Sequence, residues 1–196
     1  MINQGILQRH LTGTPGLYYV PLKSYTKKPA YRYTANPHVI TRKPSSNNSI
    51  TGYGAIPTFN TLIIDFDRKD MSEDDYRLRN KCLSLILGVD LETVTTVVTP
   101  SGGGHLILRV EDADTAVNAF IQAGKGDDHK PGFVRVLQRF VGDGLSRDEF
   151  ERVCADDFGV CFDVRNGSTL NYVVCPGSVV NPARERFIEL NKLIRD

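Results

Sequence analysis

From residue 61 onward the hydrophobic period of the chain switches in a fixed succession, and that succession restricts the folds open to it. Leu62-Ile-Ile-Asp-Phe-Asp67 is a short apolar, β-branched run that predicts a strand. A helix is predicted over about Ser72–Leu87, opened by Ser72 as N-cap with Asp75 at N3 and closed by Gly88. Thr93–Val98 is β-branched almost throughout and predicts a second strand. After the turn Pro100-Ser-Gly-Gly-Gly104, His105–Val110 predicts a third, paired with the second as a hairpin. Ala113–Ala123, Phe133–Phe140 and Arg147–Ala155 carry apolar residues at helical spacing. Val160–Val164 predicts a fourth strand and Asn171–Cys175 a further strand closing the same sheet, and the tail Arg184–Ile194 reads as an amphipathic helix.

The expected class is therefore α+β, with an elaborated ferredoxin-like or RRM-like βαββαβ core. Such a unit packs its helices on one face of an antiparallel sheet and leaves the other face open for a ligand or partner. Residues 1–60 are punctuated by turn formers (TGTPG, KKP, ANP, RKPSSNN) and read as an irregular α/β N-terminal module with short strands. The organisation expected is a basic module over 1–60 belonging to the same compact domain, a catalytic core over 61–183 and a C-terminal helix over 184–196.

Hydrophobic residues make up 40% of the 196 and charged residues 24%, which excludes a disordered chain. No apolar run approaches the ~18–20 residues of a membrane span, and the first residues lack the pattern of a signal peptide, so no membrane association and a cytoplasmic location are expected. The formal net charge of +1 conceals an asymmetry. Arg9, Lys23, Lys27, Lys28, Arg32, Arg42 and Lys43 lie in the first 60 residues without one Asp or Glu, whereas the remainder is acidic. A polyanion partner on one side and metal-binding carboxylates on the other would account for this, as would a solvated surface. Cys82, Cys154, Cys161 and Cys175 show no paired spacing. They read as reduced thiols, and a zinc site built from three of them with His129 would lack the short ligand spacing usual for zinc modules.

Side chains alternate across a strand, so Asp65 and Asp67 share a face, with backbone positions about 6.5–7 Å apart. Carboxylates that close repel, and a hard divalent cation such as Mg²⁺ or Mn²⁺ relieves the repulsion; two acids facing water at a strand end is the alternative. Three consecutive glycines exceed what a hairpin requires. They allow a backbone to approach an anion closely, with Ser101 adding a hydroxyl and His105 an imidazole, although a flexible hairpin tip would look the same. Asp163 and Arg165 share a face of the fourth strand, which in the expected topology flanks the first. Three carboxylates, a His, a Gly-rich turn and an Arg on one sheet face together suggest a site for a metal-bound triphosphate.

The segments LIIDFD, TPSGGGHLIL and FDVRNGSTLNYVVCPGS, in that order, resemble the three motifs of the archaeo-eukaryotic primase superfamily in its primase-polymerase (prim-pol) branch of plasmids, phages and mobile elements. The likeness spans about residues 60–180. It implies the archaeo-eukaryotic primase fold and template-dependent nucleotidyl transfer, as a DNA primase, a DNA polymerase or both. By the same resemblance Asp65, Asp67 and Asp163 would hold two Mg²⁺ or Mn²⁺ ions, and Ser101, Gly103 and His105 would meet the phosphates of the incoming nucleotide. Arg165 would serve the triphosphate by proximity to the third acid. Lys27, Lys28, Arg32, Arg42 and Lys43 would face a single-stranded template or primer-template, with Tyr31, Tyr33 and Tyr53 available for stacking. The sequence carries no P-loop motif, so a helicase domain or protein would supply any unwinding. Two other classes remain open on sequence grounds: a different metal-dependent phosphoryl or nucleotidyl enzyme, such as a nuclease, and a noncatalytic RRM-like binding module. The second would place aromatics where this chain has Asp65, Asp67 and His105.

Overall fold

Two antiparallel sheets share the apolar side chains of one central strand. In the computed structural model the described residues are 5–6, 16–34, 40–41, 50–68, 70–91, 93–94, 96–111, 130–160, 162–167, 170–180 and 186–187. The strands are β1 (Leu17–Pro21), β2 (Tyr53–Pro57), β3 (Thr61–Phe66), β4 (Thr96–Val98), β5 (Gly104–Arg109), β6 (Phe162–Arg165), β7 (Val173–Val174), β8 (Val179–Val180) and β9 (Arg186–Phe187). The helices are α1 (Glu73–Leu87), α2 (Lys130–Leu137), continued by a 3₁₀ turn over Gln138–Phe140, and α3 (Arg147–Cys154). A four-stranded sheet runs β4-β5-β3-β6, a three-stranded sheet β1-β2-β7, and β8 pairs with β9. Every pairing is antiparallel.

Local chemistry sets the helix ends. Ser72 Oγ accepts the N–H of Asp75 at 3.1 Å and donates to the Asp75 carboxylate at 2.9 Å, so the reciprocal bond of a full capping box goes to the hydroxyl and not to the backbone. Gly88 closes α1 in the left-handed region at φ 65°. Ser146 and Glu149 form a complete capping box at α3. Pro131 is accommodated in the first turn of α2, where a missing N–H costs no helical hydrogen bond, and the helix starts earlier than its apolar spacing alone predicts.

Strand β3 has apolar residues on both faces. Leu62, Ile64 and Phe66 turn to the helices, packing with Leu106 and Phe162 of the neighbouring strands against Cys82 and Leu83 of α1, Phe133 and Leu137 of α2 and Val153 of α3. Ile63 turns the other way and joins Ile107 of β5 against Leu17, Tyr19, Tyr53, Ala55, Val173 and Cys175. The second face is thus not open along its length: the three-stranded sheet covers the half that carries Ile63 and Ile107, because two fully apolar side chains there cannot be left to water. The cover reaches into the acid row, where Val97, opposite His105, packs against Leu22 and Val174; Asp65 and Asp163, on the far side of that row, keep partial exposure.

Three expectations change. The segment Asn171–Cys175 does not extend the four-stranded sheet; its two-residue strand β7 pairs with Gly54 and Ala55 of β2, so the module over 1–60 is completed by residues from the far end of the chain. Arg186 and Phe187, expected within a helix over 184–196, are a strand against Val179 and Val180, whose β-branched edge supplies backbone partners. Of the tyrosines proposed for stacking, Tyr33 and Tyr53 are buried in apolar clusters and Tyr31 is exposed. The helix expected over Ala113–Ala123 lies outside the described residues, as do Arg42, Lys43, His129 and Cys161. Among the described residues no helix is long and apolar enough to cross a membrane.

Since Ile63 and Ile64 serve opposite faces of one strand, Ile63→Ala and Ile64→Ala should each lower the free energy of unfolding by about 2–5 kcal/mol. Urea denaturation followed by near- and far-UV circular dichroism should give one coincident transition for both variants. Separate transitions would show that the two sheets melt independently.

Candidate active site

Pairing register brings three of the candidate residues into one row. Asp65 of β3 stands opposite His105 of β5 on one side and opposite Asp163 of β6 on the other. Two residues along the strands, Ile63 stands opposite Ile107 and Arg165. Side chains two apart share a face, so Asp163 and Arg165 rise on the same side as Asp65 and His105. Asp67 follows the end of β3 and is exposed.

The acids are already bridged by a cation. Nη2 of Arg165 donates to Asp65 Oδ2 at 3.2 Å and to Asp163 Oδ2 at 3.1 Å. Burial raises the Asp65 carboxyl above its ordinary range; the charge and hydrogen bond of Arg165 oppose this, Asp163 adds to it and Lys27 opposes it. His105 Nε2 lies 3.5 Å from Asp65 Oδ1. Burial brings the imidazole down to about 4, helped by the charges of Arg165 and Lys27 and opposed by Asp67. His105 is therefore neutral at neutral pH, and its approach to Asp65 is a contact of a neutral ring with a carboxylate and not an ion pair. His105 Nδ1 and Arg165 Nε are buried without a hydrogen-bond partner among the described residues. Both atoms flank the acid pair, and each is able to take a further polar partner.

The glycine turn serves the chain as well as any ligand. A side chain at Gly103 would meet the Phe66 carbonyl oxygen at 2.4 Å and the Asp67 Cα at 3.0 Å, so this glycine lets the turn lie against the backbone that carries Asp67. Gly102 takes φ +82°, which closes the turn with the N–H of Gly102 donating to the Thr99 carbonyl at 2.9 Å. Ser101 is exposed at the tip, its hydroxyl 3.1 Å from that of Thr99.

Two supports escape a reading of motifs. Arg79 is fully buried in α1, with its guanidinium over the rings of Phe66 and Tyr76, and Nη1 donates to the Asp67 carbonyl. Its position with Cys82 and Leu83, at i, i+3 and i+4, marks the buried stripe of α1 and is the signal that would have revealed it. Tyr172 donates to the Lys27 carbonyl at 2.6 Å and meets Tyr33 edge-on at 5.8 Å, while the Tyr33 hydroxyl donates to the Leu170 carbonyl. These contacts hold the Lys27 segment beside the acid end of the sheet, where the Lys27 charge reaches Asp65 and His105. Lys27, Lys28 and Arg32 are exposed. No group of three or more His, Cys, Asp or Glu side chains that could hold a metal ion is gathered among the described residues.

An antiparallel sheet thus gathers two paired carboxylates, a neutral histidine and an arginine at one end, beside a glycine turn, on an α+β scaffold. The chain belongs to the family of bifunctional DNA primase/polymerase N-terminal domains (Prim-Pol), whose family model matches residues 9–192. Membership places it in a family of DNA primases and polymerases, a class of nucleotidyltransferases. No curated protein matches the chain, and no solved structure does.

The depressed histidine makes stability depend on pH. Above about pH 6.5, His105 is neutral folded and unfolded; below it, the unfolded chain takes up a proton that the folded chain refuses until about pH 4. The folded state should lose about 3 kcal/mol over that window from this group. Urea unfolding in metal-free buffer between those limits should show a shallower pH dependence for His105→Gln than for the wild type; equal slopes would assign the titration elsewhere.

Proposed function

We propose that the chain is a template-dependent nucleotidyltransferase of DNA replication, acting as primase, polymerase or both on (d)NTPs with a single-stranded template or primer-template. The observation that carries this reading is the register His105–Asp65–Asp163 across three adjacent strands, in a chain that matches the primase/polymerase family over nearly its whole length. We read the four-stranded sheet as a ferredoxin-like βαββαβ core, a reading supported by its order β4-β5-β3-β6, which keeps the unit's first and third strands central.

The donor set fits divalent metal. Asp65 and Asp163 present hard oxygens that a cation already joins, Asp67 adds a third carboxylate at the strand end, and two buried polar atoms await partners. Asp65, Asp67 and Asp163 would hold two Mg²⁺ or Mn²⁺ ions. Such ions, when bound, lower the pKa of a 3′-hydroxyl and neutralise a leaving pyrophosphate. The chain's own part is positional. A neutral His105 offers an N–H donor to a phosphate oxygen without adding charge, Ser101 offers a hydroxyl from the exposed turn, and Lys27 and Arg165 supply positive charge from the side facing the acids. Gly103 keeps that turn against the Asp67 backbone. Lys28 and Arg32, together with Arg42 and Lys43 from the basic segment, would meet the template phosphates. A helicase domain or protein would open any duplex.

Asp65→Ala, Asp67→Ala and Asp163→Ala should each reduce incorporation of labelled nucleotide on primed single-stranded DNA by about a hundredfold or more. Their stabilities should differ. Asp67 is exposed and its removal should leave the melting temperature unchanged, while Asp65→Ala, which takes a buried partner from Arg165, should cost roughly 1 kcal/mol. Near-normal synthesis by the Asp65 variant would remove it from the catalytic set.

Template binding should weaken as salt rises, because each phosphate neutralised by Lys or Arg releases condensed counterions. Changing Lys28 and Arg32 together to Gln should flatten the slope of log affinity against log salt by about 0.7 per lost contact on single strands, equally for all sequences. Fluorescence anisotropy of labelled oligonucleotides measures this. An unaltered slope would move the template path to Arg135 and Arg139, which are exposed on α2 and the turn that follows it.

A further inference from the structure

We infer that Arg165 is the resident counter-ion of the metal-free site, and that a divalent cation binds by displacing its guanidinium from Asp65 and Asp163, freeing Arg165 for an anionic ligand. The inference rests on the proposed reading of these two acids as metal ligands and goes beyond it, since it makes metal and arginine competitors for the same oxygens.

Three features carry it. Both hydrogen bonds issue from a single nitrogen, Nη2, to one Oδ2 on each acid, so one rotation of the side chain releases the two carboxylates together. The guanidinium is satisfied only in part in this arrangement: Nε is buried and has no partner among the described residues, so the closed position leaves a buried donor unmet and is easier to abandon than a full fork would be. Finally, one oxygen of Asp65 and one of Asp163 are turned toward a cation the protein itself provides, so a metal ion would meet them already engaged.

A guanidinium and a divalent ion cannot share two carboxylates without strong repulsion between them. Once displaced, Arg165 keeps its charge on the same face as Lys27, and both then address whatever anion accompanies the metal. Metal binding alone is thereby held weak, and metal and an anionic ligand reinforce one another: each favours the open position of Arg165, so each raises the affinity for the other.

The test measures metal without catalysis. Mn²⁺ titrated into the full chain without nucleotide, with free ion followed by electron paramagnetic resonance, should bind Arg165→Gln about tenfold or more tightly than the wild type. Asp65→Asn should abolish binding at this site. An equal or weaker affinity in Arg165→Gln, with Asp65→Asn still deficient, overturns the competition and leaves the metal reading standing. Binding by Asp65→Asn equal to the wild type, or no Mn²⁺ bound by any of the proteins, overturns both. Circular dichroism checks that the variant folds, and a measurement on the wild type does not depend on it. ¹⁵N resonances of arginine side chains, titrated with diamagnetic Mg²⁺, should show one guanidinium losing its hindered rotation as the metal saturates. If every arginine signal stays unchanged at saturation, the inference fails.

Discussion

The site depends on the register of β3. Side chains along a strand alternate with a period of two, so a slip of one residue would send Asp65 into the apolar layer against the helices and bring Ile64 out beside His105. Two independent apolar layers forbid that slip. Leu62, Ile64 and Phe66 are claimed by the helices, and Ile63 by the second sheet. Hydrophobic burial on both sides of one strand thus fixes, without touching it, which carboxylate faces which across the sheet.

Charge at the acid end is managed by the same economy of position. Asp65 and Asp163 oppose each other directly across the sheet, an arrangement that destabilises unless a cation intervenes, and Arg165 sits two residues along from Asp163 on the same face. Arg79 works from the other side of the sheet: it grips the carbonyl of Asp67 from within α1, leaving the carboxylate to the exposed edge. Backbone and side chain of the DxD segment are therefore held by two different arginines, one buried and one at the rim.

Much of this could be read from the residues alone, for physical reasons that also explain the remainder. The strands carrying Asp65, His105 and Asp163 have long apolar or β-branched runs, and α1 has Ser72 and Gly88 at its ends; such signals are local and survive in any context. The pairing of β7 with β2 was not legible, since two valines have no period and their partner lies far off in sequence. Nor was the cover over half the sheet, although Ile63 sharing a face with Asp65 already meant that this face could not be wet throughout. The arginine bridge needed distances: shared parity puts Arg165 on the acid face but cannot say whether it points to the acids or to solvent. The glycines had two explanations in the sequence, approach to an anion and a flexible hairpin tip, and packing of Gly103 against the Phe66–Asp67 backbone is a third that residue types alone do not show.

The way β7 completes the first sheet has a consequence for biogenesis. Strands β1 and β2 can pair as soon as both have left the ribosome, but an isolated two-stranded ribbon is marginal in water. Its third strand arrives only after more than half the chain has followed. Until then Tyr19, Tyr53 and Ala55 lack part of their apolar cluster, and Ile63 and Ile107 wait under an unfinished cover. Such long-range closure slows folding and prolongs the exposure of unpaired strand edges. The sheet of β1 and β2, and with it the placement of Lys27 by Tyr172, is thus completed only once residues near the end of the domain have been made.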